Sequence, residues 1–104
     1  MASVLIVDDS AAFRALAARL VLAAGHQVAG EAADGAEALR LAEALAPDGV
    51  LLDVHLGADD GFAVGRALAD LAHPPRVIMI SSDPGTGAVP KDALAGPGLT
   101  ELLH

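Results

Sequence analysis

Three carboxylates, a hydroxyl and an ammonium group stand at intervals along the 104 residues that suit cation and phosphoryl chemistry. Asp8 and Asp9 close the apolar run VLIVD, Asp53 closes GVLLD and Ser81 closes RVIMIS. Lys91, ten residues further on, is the only lysine among six basic side chains. Three carboxylates brought close together repel, and at least one would hold its proton unless a cation joined them. Mg²⁺ suits such a set because it takes oxygen ligands, demands octahedral geometry and keeps several waters. With the metal in place an ionised aspartate is a nucleophile toward phosphorus and can form an acyl phosphate. A transferred phosphoryl group spreads charge over three equatorial oxygens, and each needs a partner. The metal can hold one, a hydroxyl with a backbone N–H a second, and an ammonium the third.

Whether these residues meet depends on the elements that carry them. VLIVD, GVLLD and RVIMIS are short continuous apolar runs, as expected of parallel strands buried on both faces; HQVAGEA reads as a weaker second strand. Phe13, Leu16, Ala17, Leu20, Val21 and Ala24 share one helical face, which Gly25 ends. A second helix is expected from Gly35 to Ala46, burying Ala38, Leu39, Ala42 and Leu45, and Pro47 bars its continuation. Val64, Ala67, Leu68 and Leu71 mark a third, closed by HPP. Helices alternating with strands predict a parallel sheet covered on both faces. Ligands of such a sheet bind beyond the carboxyl ends of the strands. Asp8, Asp9, Asp53 and Ser81 therefore fall at one rim.

The chain has length for a single core, and residues 1–104 read as one domain. At 54% hydrophobic and 19% charged it can order itself. A net charge of -8 argues against direct nucleic-acid binding and favours a cation or a basic partner. No cysteine is present, no run approaches a membrane span, and MASVLIVDDS lacks the basic region of a signal peptide. A cytoplasmic protein is expected.

VLIVDDS, LLDVHLGADDGF, VIMISS and VPKDAL resemble, in order, the conserved segments of bacterial response-regulator receiver domains. The resemblance covers essentially the whole chain. It implies a doubly wound, flavodoxin-like α/β fold and a two-component signalling role, with phosphate taken from a histidine kinase, a phosphotransfer protein or a small phosphodonor. By that resemblance Asp53 is the phosphoacceptor, Asp9 binds Mg²⁺ directly, Asp8 holds a metal-bound water, and the backbone carbonyl of His55 completes the protein ligands. Ser81 is the hydroxyl that turns toward the phosphoryl group, and Lys91 its ion-pair partner. His55 and Asp83, two residues past Asp53 and Ser81, occupy positions that influence acyl-phosphate lifetime in the family; on residue type alone both are simply exposed. His26 and His73 read as polar caps at helix ends, with no paired spacing for zinc.

The pattern departs from the family between Ser81 and Lys91. Only Ser82–Gly87 separate them from AVPK, too few for the family's fourth helix, and Pro90 limits the fifth strand to a short edge. A taut helix-free crossover is one solution, since seven Cα steps reach roughly 24 Å against about 16 Å required. A hairpin at Pro84-Gly85 is the rival, making the last strand antiparallel and carrying Lys91 roughly 10 Å or more away. Exchange of the C-terminal segment between two molecules is the third. Ala88 stands where the family commonly has an aromatic, and Gly57 replaces a usual proline. Two further functional readings stand beside the phosphoacceptor. One is a non-switching, receiver-like homodimerisation module. The other is an aspartate-based phosphatase, disfavoured because Asp8 and Asp9 are adjacent rather than alternate.

Overall fold

The computed structural model describes residues 1–83, 85–95 and 99–103. Five parallel strands form one sheet in the order β2-β1-β3-β4-β5: β1 Ser3–Val7, β2 Gln27–Ala32, β3 Gly49–Asp53, β4 Arg76–Ser81 and β5 Val89–Pro90. Helices α1 (Ala11–Ala23), α2 (Gly35–Leu45) and α3 (Gly61–Ala69) connect the first four strands. A 3₁₀ turn at Lys91–Ala95 and a single helical turn, α4 (Leu99–Leu102), end the described chain. This is the flavodoxin-like order, in which the chain starts near the centre and winds outward both ways.

The central strands β1 and β3 are almost wholly apolar because both their faces are covered, and successive side chains alternate between two cores. Leu5, Val7, Val50 and Leu52 pack toward α2 and α3. Val4, Ile6, Leu51, Ile78 and Ile80 pack toward α1, Leu94 and Leu99. The helices contact the sheet through narrower stripes than the sequence suggests. Ala17 and Val21 are buried in α1, whereas Leu16 is 48% exposed. Leu16 lies about 100° around the helix from Ala17, past the edge of the stripe. In α2, Ala38 and Ala42 are buried, but Leu45 is 47% exposed. It reaches over Gly30 on the edge strand β2, where nothing covers its outer side among the described residues. The helix ends one residue earlier than expected, with Ala46 in the left-handed conformation (φ 46°) as its cap.

The connection from β4 to β5 decides between the rival geometries. β5 pairs parallel to β4, with Ile80 opposite Val89 and Ser81 opposite Pro90. None of the described residues of this connection is helical. The crossover is therefore the taut one, and the hairpin is excluded. Pro84 lies outside the described residues; Gly85 after it has a positive φ (87°), as the third residue of a type II turn requires. His104 also lies outside them. Among the described residues no helix is long and apolar enough to cross a membrane.

Candidate functional site

The carboxyl ends of β1, β3 and β4 bring the predicted residues together. Asp8 follows β1 directly and is fully buried; Asp53 ends β3 at 5% exposure and Ser81 ends β4 at 2%. Asp9, one residue on, is exposed. Asp8, Asp9 and Asp53 each offer a carboxylate oxygen, all within 4.8 Å of one another. Parallel register explains the convergence: Val7 stands opposite Leu52 and Asp53 opposite Ile80.

Local geometry fixes each acid. The Ser10 N–H donates to Asp8 Oδ1 at 2.8 Å, and the Ser10 hydroxyl caps α1 by accepting from the Phe13 N–H at 3.2 Å. DDS is thus a helix start and part of the site at once. The Arg14 guanidinium donates to the Asp8 carbonyl at 2.6 Å and pairs with Glu31 at 3.3 Å, tying α1 to the ends of β1 and β2. Asp53 Oδ1 accepts from the His55 N–H at 3.0 Å, so the His55 backbone lies against that carboxylate. Gly61 lets α3 start directly above it: a Cβ there would overlap the Asp53 carbonyl oxygen and the Val54 backbone. Gly57, in place of a proline, has a φ of 61° that proline cannot adopt, and it turns the chain between the short antiparallel pair His55–Leu56 and Asp59–Asp60.

Lys91 reaches the site. Its Nζ lies 2.7 Å from Asp8 Oδ2 and 3.1 Å from Asp53 Oδ2, and 4.2 Å from the centroid of the Phe13 ring. The crossover is short, but a parallel β5 delivers the lysine to the correct end of the sheet. Burial would lower the Lys91 pKa; the Asp8 and Asp53 carboxylates outweigh it and hold the ammonium above its usual value. Burial pushes the Asp53 carboxyl above the ordinary aspartate value and Asp8 adds to the rise, while the His55 N–H and Lys91 only partly offset it. Asp8 Oδ2 finds no aligned hydrogen-bond donor, and its contact with Lys91 is an ion pair by distance alone.

Ser81 faces its own loop. Its Oγ accepts from the Asp83 N–H at 2.9 Å and donates to the Asp83 carbonyl at 3.3 Å. Asp83 and His55 are exposed, as expected, and they also meet: His55 Nε2 lies 3.0 Å from Asp83 Oδ2, joining the loops after β3 and β4. Their alignment two residues past adjacent strand ends was the available signal. His26, just past the end of α1, is a buried tie, accepting from the Ala2 N–H at 2.9 Å and lying 3.2 Å from the Thr100 hydroxyl. Phe13 and Arg14 carried no functional expectation.

The family model of the response regulator receiver domain matches residues 4–95. A protein-glutamate methylesterase/protein-glutamine glutaminase of Anaeromyxobacter dehalogenans is 40% identical over 87 residues, covering 82% of this chain and 25% of that protein. The transcriptional regulatory protein PdtaR of Mycobacterium tuberculosis is 37% identical over 76 residues, covering 73% and 37%. The chain thus spans a quarter to just over a third of these two relatives. Among solved structures, a signal receiver domain from Mycobacterium tuberculosis superposes with a TM-score of 0.83 at 31% identity, covering 97% of this chain and 95% of that one. The response regulator domain of Thermotoga maritima CheB gives 0.74 at 31% identity, covering 97% and 69%.

Proposed function

This chain belongs to the response regulator receiver domain family, and on that premise we propose that it accepts a phosphoryl group on Asp53, with Mg²⁺, from a histidine kinase or a small phosphodonor in the cytoplasm. Residues 1–104 act as one receiver domain in this reading. The observation that carries it is the surroundings of Asp53: a backbone N–H on one oxygen, an ammonium on the other, and two further carboxylates within 4.8 Å.

The donor set fits a hard divalent cation. Three carboxylates against one ammonium leave negative charge uncompensated, and the buried Asp8 Oδ2 lacks an aligned donor. Asp8, Asp9, Asp53 and the His55 carbonyl would hold the ion, whose charge screens the acids and draws electron density from the phosphoryl oxygens. An Asp53 oxygen bonds to phosphorus as the bond to the leaving group breaks. A phosphohistidine releases its imidazole with the electron pair, and an acyl phosphate releases its carboxylate. Lys91 then pairs with a phosphoryl oxygen. Ser81 turns to another, giving up an O–H···O contact of 3.3 Å that is long for its type.

Incubation with Mg²⁺ and acetyl phosphate followed by intact mass tests this directly. One phosphoryl adduct is expected, absent from Asp53→Asn. No adduct on the wild type, or one that survives that substitution, contradicts the proposal.

The helix-free crossover favours a second reading, a non-switching dimerisation module. Light scattering separates the two: a dimer indifferent to Mg²⁺ and phosphodonor supports the second.

A further inference from the structure

Among the described residues the Lys91 ammonium has two carboxylates and one aromatic ring as partners, and the carboxylates are ones that a bound cation would claim. Its ammonium touches Asp8 Oδ2 and Asp53 Oδ2, and both residues belong to the proposed cation set. The third neighbour is the Phe13 ring, whose centroid lies 4.2 Å from Nζ, well inside the range of cation–π attraction. The ring offers no lone pair to a metal, so it is the one partner that does not compete for the lysine's position. Resting on the phosphoacceptor reading above, we infer that Phe13 is a positioning residue that keeps the Lys91 ammonium at the site when the carboxylate oxygens are shared with the cation and the phosphoryl group.

Two observations make this role necessary and available. Lys91 is poorly anchored by its own segment: it opens a 3₁₀ turn, follows a two-residue strand, and is reached by a connection without a helix. Phe13, by contrast, stands on a platform clamped three ways. Its N–H is held by the Ser10 cap, the adjacent Arg14 is bonded to the Asp8 carbonyl, and the ring packs against the core that Leu94 and Leu99 share. Among the described residues no other phenyl ring lies against the ammonium. The chain has two phenylalanines and neither tyrosine nor tryptophan, and Phe62 is exposed at the start of α3.

Because Lys91 is the sole lysine, lysine-selective ¹³C labelling gives one side-chain spin system to follow. Its ε-methylene protons should be shifted upfield by the ring current, and should remain so after Mg²⁺ is added. Phe13→Leu should abolish the upfield shift and slow adduct formation with acetyl phosphate about tenfold, the scale of one partly desolvated cation–π contact. Phe13→Tyr should retain both within about twofold. Mg²⁺ affinity should change little in either variant, since the ring binds no metal. An unshifted ε-methylene in the wild type overturns the inference, whether or not Phe13→Leu folds. Equal rates for Phe13→Leu and Phe13→Tyr also overturn it. If the wild type forms no adduct at all, the phosphoacceptor reading fails, and the lysine resonance still reports where the ring holds the ammonium.

Discussion

The two faces of β4 differ in their cover. On one, Ile78 and Ile80 are buried beneath Leu94 and Leu99 of the C-terminal segment. On the other, Val77 and Met79 are only partly buried, packed beside α3 with no helix beyond it among the described residues. A connection between parallel strands ordinarily contains a helix that covers the sheet it crosses. Here the connection is too short for one, so the strand keeps its register while losing cover from one side. The register that gathers the site residues is intact; what the short connection lacks is cover over this face.

Truncation along β4 should expose this asymmetry. Ile80→Ala is expected to cost about 4 kcal/mol in urea unfolding, as for a fully enclosed aliphatic side chain. Met79→Ala, one residue away on the half-covered face, should cost about 1 kcal/mol. Equal costs would mean that both faces are equally enclosed.

Removing the ammonium should rank next. Lys91→Ala leaves the buried Asp8 and Asp53 without their cation, an expected loss of about 3 kcal/mol. Added Mg²⁺ should stabilise this variant more than the wild type, because the ion then binds without a competing ammonium. A Lys91→Ala protein as stable as the wild type, or indifferent to Mg²⁺, would mean that the lysine and the acids are not a working set.

A smaller effect is expected at Asp53. Asp53 is held above the ordinary aspartate value in the folded state, chiefly by burial. The folded protein thus holds this proton more tightly than the unfolded chain does. Stability contributed by protonated Asp53 is full below the ordinary aspartate value and is lost as pH rises through the folded value. Asp53→Asn has no such group, so its stability relative to the wild type should rise across that window, and the difference should shrink with Mg²⁺. A difference independent of pH would argue that Asp53 titrates normally.

Much of this architecture was legible in the sequence because it rests on strong local signals. Continuous apolar runs ending in polar residues marked the strands, and parallel topology then put Asp8, Asp53 and Ser81 at one edge of the sheet. The direction of β5 was not legible, since a Pro-Gly pair serves a hairpin and a taut crossover equally well. Leu16, on the apolar face of its helix, and Leu45, expected to be buried, are both half-exposed, because periodicity marks a helix's apolar side but not the width of its contact with the sheet. The His55–Asp83 pair and the Phe13 platform escaped for a different reason. Each joins elements far apart in the chain, and nothing local in their residue types announces a partner.

In the proposed reading Asp8, Asp9 and Asp53 form a divalent-cation cradle served by Lys91. Titrating isotopically labelled protein with Mg²⁺ and following the backbone amides together with the single lysine resonance tests it most directly. Saturable shifts centred on residues 8, 9, 53 and 55, with a concerted response of Lys91 and their loss in Asp53→Asn, are predicted. Shifts scattered over the acidic surface without saturation, or a lysine that never responds, would contradict it.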